Sequence, residues 1–236
     1  PMFILGAWRW LATGFSALLA ILSLALPLVV LIFWLIRGLF AGESVLIPYT
    51  PAANSLLLSG ITALIAVIFS FPVAFVSVRY TGIISGLVEK VSFMGYALPG
   101  VVVSLSLVYF GSHFAKPLYQ TLWLLIFACL VLYFPAALAA IRAALLQVNP
   151  RLEEAARGLG KNSLQTFMAV TVPTVRRGIM MGSALVFLIT MKELPAVLLL
   201  SPLEFSTLTT EIWTNTSEAF FAKAAVPSIA LIILSS

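Results

Sequence analysis

Aspartate does not occur in this chain of 236 residues, which also has only one cysteine, Cys129, and one histidine, His113. Carboxylate chemistry therefore rests on eight glutamates. A lone cysteine cannot close an intrachain disulfide, and one Cys with one His cannot assemble an ordinary zinc site. Both read as structural, Cys129 as a small residue inside an apolar run and His113 at a helix end. No metal site is expected. The chain has no Gly-x-x-x-x-Gly-Lys-Ser/Thr loop, so it lacks a cradle for ATP phosphates, and it has no His-Glu-x-x-His. Charged residues of either sign make up only 9%.

Apolar residues fill the space. They reach 62%, with a mean hydropathy of +1.14, outside the range of ordinary soluble domains. Runs near twenty residues recur along the chain, which predicts an all-α, polytopic transmembrane bundle of about six spans. The net charge of +5 is then a property of loops on one side of a membrane and no sign of nucleic-acid binding.

In order, Arg9 between Trp8 and Trp10 reads as an interfacial anchor within Pro1–Trp10. Spans are expected over Leu11–Ile36, with a kink at Pro27, and over Ser55–Val78, capped by Asn54. A third covers about Val91–Phe110, broken in regularity by Gly95, Pro99 and Gly100 and carrying Ser104 and Ser106. A fourth runs from about Thr121 to Leu146, its end dense in alanine for close packing. A fifth covers Ile179–Leu200. Ser201–Phe221 reads as a loop, and a last apolar run, from Ala222 to Ser236, is too short to span. That short end, with the missing initiator Met, suggests a piece of a longer polypeptide.

The longest polar interval, Asn149–Arg177, lies between two apolar segments. It holds Arg151, Arg157, Lys161, Arg176 and Arg177 against only Glu153 and Glu154. Pro150 and the glutamates favour a helix start, Gly158 and Gly160 interrupt that helix, and a second amphipathic run, Ser163–Val172, follows until Pro173. Two short helices at a glycine bend make a knob suited to docking. With this knob on the cytoplasmic side, nine of the thirteen basic residues fall inside, as the positive-inside rule requires.

The register Glu154-Ala155-Ala156, then Gly160, then Pro173 resembles the EAA loop of binding-protein-dependent ABC importer permeases. Val170 and Val172 stand where that family prefers Ile and Leu. The resemblance implies the type I permease fold, with 149–177 as the cytoplasmic coupling loop seated on an ABC ATPase. Glu154 would anchor it, Ala155 and Ala156 would allow close approach, and Gly158, Gly160 and Pro173 would shape it. It further implies a bacterial inner-membrane location and a periplasmic substrate-binding protein as partner. Partner ATPases would carry ATP and Mg, with no cofactor on this chain, which would itself be no enzyme. Lipid and a second permease half or subunit complete the expected partners.

A second stretch carries information about the pathway. Met191-Lys192-Glu193-Leu194-Pro195 puts two charges in an apolar segment, where they face protein or water. Pro195 cannot donate to the helix ladder, so a bend is expected there, the usual way a transporter opens a midplane site. Glu193, Lys192, Pro195, Ser104 and Ser106 are the pathway candidates; a packing role for the charges is the alternative. Neighbours along a helix do not face each other, so Lys192 and Glu193 should not pair. The run KELPAVLLLSP, then Phe205, Thr207-Leu208 and Ile212-Trp213, resembles the second half of ferric-iron ABC permeases, with Val197 in place of a Thr. This implies one transmembrane domain over residues 1–236, half of a longer two-repeat permease, with ferric iron as cargo. Thiamine, sulfate and polyamine permeases share the architecture. The alternative classes are an ion-coupled transporter or channel, and an intramembrane enzyme using Glu193.

Overall fold

The computed structural model describes residues 6, 8–43, 46–80 and 82–235, the side chains of Ile84, Pro150 and Leu164 excepted. Residues 1–5 and 7 of the expected anchor, and Ser236 of the last run, lie outside the described residues. The elements in order are α1 (Trp8–Phe40), α2 (Tyr49–Arg79), α3 (Ile83–Phe93), α4 (Gly100–His113), α5 (Leu122–Leu146), α6 (Pro150–Gly158), α7 (Ser163–Thr166), α8 (Val172–Met191), α9 (Pro195–Leu200), α10 (Leu208–Ser217) and α11 (Phe221–Leu234). No strand occurs among the described residues. The described residues form two compact units, one drawn from 6–48 with 211–234, the other from 49–210.

In the first unit, α1 buries only Gly38 of its 33 residues. That glycine meets Ala222 of α11, and Trp34 packs on Phe221 with ring centroids 5.0 Å apart. Arg9 sits over the Trp10 ring at 5.3 Å. Helix α1 continues through Pro27.

In the second unit, α2, α5 and α8 pack together, and α5 is the most buried, from Leu124 to Leu145. The alanines near its end receive the glycines of α8. A Cβ on Gly178 would collide with that of Ala144, and one on Gly182 would stand 3.4 Å from Ala140 Cβ. Lipid tails are as apolar as the helices, so close small-residue contact is what holds such a pair. Cys129 is fully buried in the core of α5, with Leu125, Ala128 and Leu58 of α2.

The spans fall where expected, and two of them are interrupted. Among the described residues, four helices are long and apolar enough to cross a membrane, or five if a bent pair counts as one crossing. The expected third span is that pair: α3 with its following 3₁₀ turn (Met94–Ala97) meets α4 at 101°. Leu98 is extended (φ −95°, ψ 124°), as a residue before proline prefers, so the helix cannot pass Pro99. The expected fifth span stops at Met191, four residues before Pro195, where the proline ring would meet the helix carbonyl. Residues 195–200 form the separate helix α9. Helix α11 has 14 residues.

Three local expectations are corrected. Asn54 lies inside α2, which starts at Tyr49, and its Nδ2 donates to Ser206 O at 2.8 Å instead of capping. Residues 201–221 are not all loop, because Thr207 opens α10 with a reciprocal cap. Thr207 N donates to Thr210 Oγ1 at 2.8 Å, and Thr210 N to Thr207 Oγ1 at 3.4 Å. Pro173 does not end the second amphipathic run. A π-helical turn over Phe167–Thr171 joins α7 to α8, and Pro173 falls in the first turn of α8, where its missing N–H is tolerated.

Candidate functional site: a protruding knob and a cavity at two helix breaks

Asn149 starts the knob. Its side chain accepts from Arg151 N at 3.0 Å, and Pro150 occupies the first turn of α6. The other end closes with two crossed backbone bonds: Gly160 N donates to Arg157 O (2.9 Å) and Lys161 N to Ala156 O (3.2 Å). This cap needs a left-handed residue, and Gly160 supplies it at φ +85°. Asn162 opens the next helix by exchanging bonds with Gln165, Oδ1 from Gln165 N at 2.8 Å and N to Gln165 Oε1 at 3.0 Å.

The two faces of α6 differ. Glu153 and Ala156 are buried, while Leu152, Glu154, Ala155 and Leu159 are exposed. Of the two alanines expected to admit a partner closely, only Ala155 faces outward; Ala156, three residues from Glu153, lies on the inner face. Glu153 is the residue that sequence reasoning passed over. Its Oε1 accepts from Arg79 Nη2 at 2.8 Å, at the end of α2, and from Thr171 Oγ1 at 3.0 Å, in the π turn. That turn is also wedged sideways, with Phe167 edge-on to Phe71 (5.4 Å) and Phe75 (5.9 Å) of α2. The knob and the end of α2 therefore share one side of the unit, as the charge count requires.

The second site lies where both broken helices restart. Glu193, 7% exposed, sits in the gap between α8 and α9. Its Oε1 accepts from Ala196 N at 2.9 Å, capping α9, and its Oε2 accepts from the Tyr133 hydroxyl of α5. Its carbonyl accepts from Thr209 Oγ1 at 3.0 Å. These bonds supply what a carboxylate removed from water requires. A cavity of about 310 Å³ opens here, its walls including Tyr96, Gly100, Leu132, Tyr133, Glu193 and Pro195. Gly100, the first residue of α4, faces the carboxylate, its Cβ position being 3.6 Å from Glu193 Oε1.

Of the pathway candidates, Glu193 and Pro195 line this cavity. Lys192 is exposed, and no ion pair joins it to Glu193 among the described residues. The Ser104 and Ser106 hydroxyls donate to their own helix, at Gly100 O (2.7 Å) and Val102 O (2.8 Å). Tyr133 was missed because its partner lies 60 residues away.

The fold defines a multi-pass helical membrane protein. The chain superposes on a solved methionine ABC transporter, MetNI, with a TM-score of 0.62 at 15% identity, over 86% of this chain and 90% of that one. Residues 66–236 match the family described as binding-protein-dependent transport system inner membrane component, and the chain belongs to that family. It is 36% identical to the Fe(3+)-transport system permease protein FbpB 2 of Haemophilus influenzae, over 95% of this chain and 45% of that protein. It is 32% identical to the molybdenum transport system permease protein ModB of Escherichia coli, over 78% of this chain and 90% of that protein. The chain thus spans about half the length of the first relative and most of the second.

Proposed function

We propose that this chain is the permease part of an ATP-driven importer, and that ferric iron is its cargo. The observation that carries the reading is the two-faced helix α6. Glu153 and Ala156 fasten it inward, and Glu154 and Ala155 are left outward on a basic, protruding knob. A partner ATPase would receive that outer face and hold the ATP and Mg, and a periplasmic binding protein would deliver cargo from the other side. A second permease half or subunit would close the pathway, with Glu193 and Pro195 on its wall.

Likeness to the iron permease along nearly the whole chain supports iron. So does a carboxylate on the cavity wall, which repels an oxyanion and attracts a cation. The second reading, molybdate, has the ModB likeness in its favour. Proteoliposomes holding the full gene product, its ATPase and its binding protein decide between them. ATP-dependent uptake of radioactive iron is expected. Uptake of radioactive molybdate without iron would replace the cargo, and failure of any ATPase to bind would remove the importer reading.

A further inference from the structure

The cavity wall carries an unusual set of oxygen donors. Glu193 and Tyr133 line it together and are already bonded to each other, and Tyr96 lines it from the 3₁₀ turn before the Leu98–Pro99 break. No group of three or more His, Cys, Asp or Glu that could hold a metal occurs among the described residues. The cavity thus offers no imidazole or thiolate arrangement of the kind that selects zinc or copper. A carboxylate with phenols is instead a hard donor set, matched to a small, highly charged cation.

We propose that Glu193 and Tyr133 form a transient site for a hard trivalent cation on its way through the cavity, with Tyr96 as a third oxygen donor. With the cavity empty of cation, the Tyr133 proton is held by the Glu193 carboxylate. When the cation arrives, the carboxylate turns from acceptor to ligand, the phenol oxygen bonds the metal, and its proton leaves to cavity water. The metal keeps its oxidation state throughout. Two features of the site oppose retention. Glu193 Oε1 stays committed to Ala196 N, and binding the metal costs the one hydrogen bond between the two side chains. Release returns a proton from cavity water to the Tyr133 phenolate and restores that bond, so the empty site is satisfied without cargo.

This inference rests on the iron reading for its cargo, but its test is separate from transport. The complete gene product, assembled with its ATPase in nanodiscs, is titrated with ferric nitrilotriacetate in the absence of ATP. A phenolate bound to ferric ion gives a visible charge-transfer band. The band is expected in the native protein, weakened and shifted in Tyr133→Phe, lost in Tyr133→Phe with Tyr96→Phe and in Glu193→Gln, and kept in Tyr80→Phe, whose ring lies exposed beside Arg79 at the end of α2. Tyr96→Phe should weaken affinity about tenfold, the factor corresponding to ~1.4 kcal/mol for one lost contact. Tyr133→Phe keeps the ring and so the packing, and its ATPase retention confirms assembly. A native protein without the band, or a band unchanged in Tyr133→Phe, overturns the site. A Tyr133-dependent band in a protein that carries molybdate and no iron overturns the cargo reading and leaves the site standing.

Discussion

Arg79 Nη2 lies 2.8 Å from Glu153 Oε1, joining the last residue of α2 to the first turn of the knob across 74 positions of sequence. Both side chains are largely buried, at 14% and 12% exposure, and Thr171 shares the same oxygen. An external pull on α6 therefore reaches α2 through the ion pair and α8 through the π turn. Glu153→Gln leaves Arg79 without its counter-charge, and breaking a buried pair from one side costs about 3–5 kcal/mol. The expected result is a complex that still binds its ATPase through the outer face and hydrolyses ATP but moves less cargo per ATP. The exchange Arg79→Glu with Glu153→Arg should recover part of that ratio, whereas unchanged coupling in Glu153→Gln would show that the pair transmits nothing.

The outer face gives the opposite pattern. Glu154 is exposed, so Glu154→Lys should not disturb folding; surface changes away from special features stay within about 0.5 kcal/mol. ATPase co-purification is expected to fall sharply with membrane insertion and thermal stability unchanged. Full retention of the ATPase would mean that the knob docks by another face.

The knob was legible in the sequence because its signals are local. Asn149 and Pro150 start a helix, and Gly160 ends it, within a dozen residues. The buried core around Cys129 was legible from the apolar run itself. Which of the adjacent Glu153 and Glu154 turns inward was not, because Arg79 decides it from 74 residues away. Proline had two outcomes that local sequence does not separate. Pro99 and Pro195 stand at true breaks, and Pro173 falls in a first turn after a π-helical adjustment. The helix α10 was hidden by its threonines, which read as loop until Thr207 and Thr210 are seen to cap each other.

Packing of α8 on α5 predicts a steep cost for bulk at Gly178. A Cβ there runs into Ala144 Cβ, and the Ala140 carbonyl stands 3.1 Å away. Gly178→Val forces the helices apart, and overpacking of this kind costs about 1–3 kcal/mol. A lower unfolding temperature in detergent is expected. Gly158→Val should have a smaller effect, because nothing beyond its own helix backbone and chain neighbours stands within 4 Å of the Cβ position at Gly158. Equal losses in the two variants would contradict the close contact.

The cavity at the two helix breaks is testable without touching its carboxylate. A side chain added at Gly100 would stand 3.6 Å from both Glu193 Oε1 and Leu132 Cδ1, and 3.9 Å from Pro195 Cβ, all ordinary contact distances. Gly100 also opens α4 after Pro99, so a cysteine there joins the helix at its first turn, where the cost of replacing glycine is small. In a Cys129→Ala background the new thiol is the only one in the chain, since Cys129 is the sole native cysteine. A small, charged, water-soluble thiol reagent should modify Gly100→Cys in at least one of the ATP-free and ATP-trapped states, because the thiol projects into a space of about 310 Å³. Ferric nitrilotriacetate should slow that reaction, and molybdate should not, if a cation stands between Glu193 and the reagent. Tyr133→Phe should weaken the protection while leaving the unprotected rate alone, which separates loss of the cation from loss of access. A thiol that stays unmodified in both states would show that the breaks at Pro99 and Pro195 enclose a dry packing defect, and Glu193 would then be a helix cap alone.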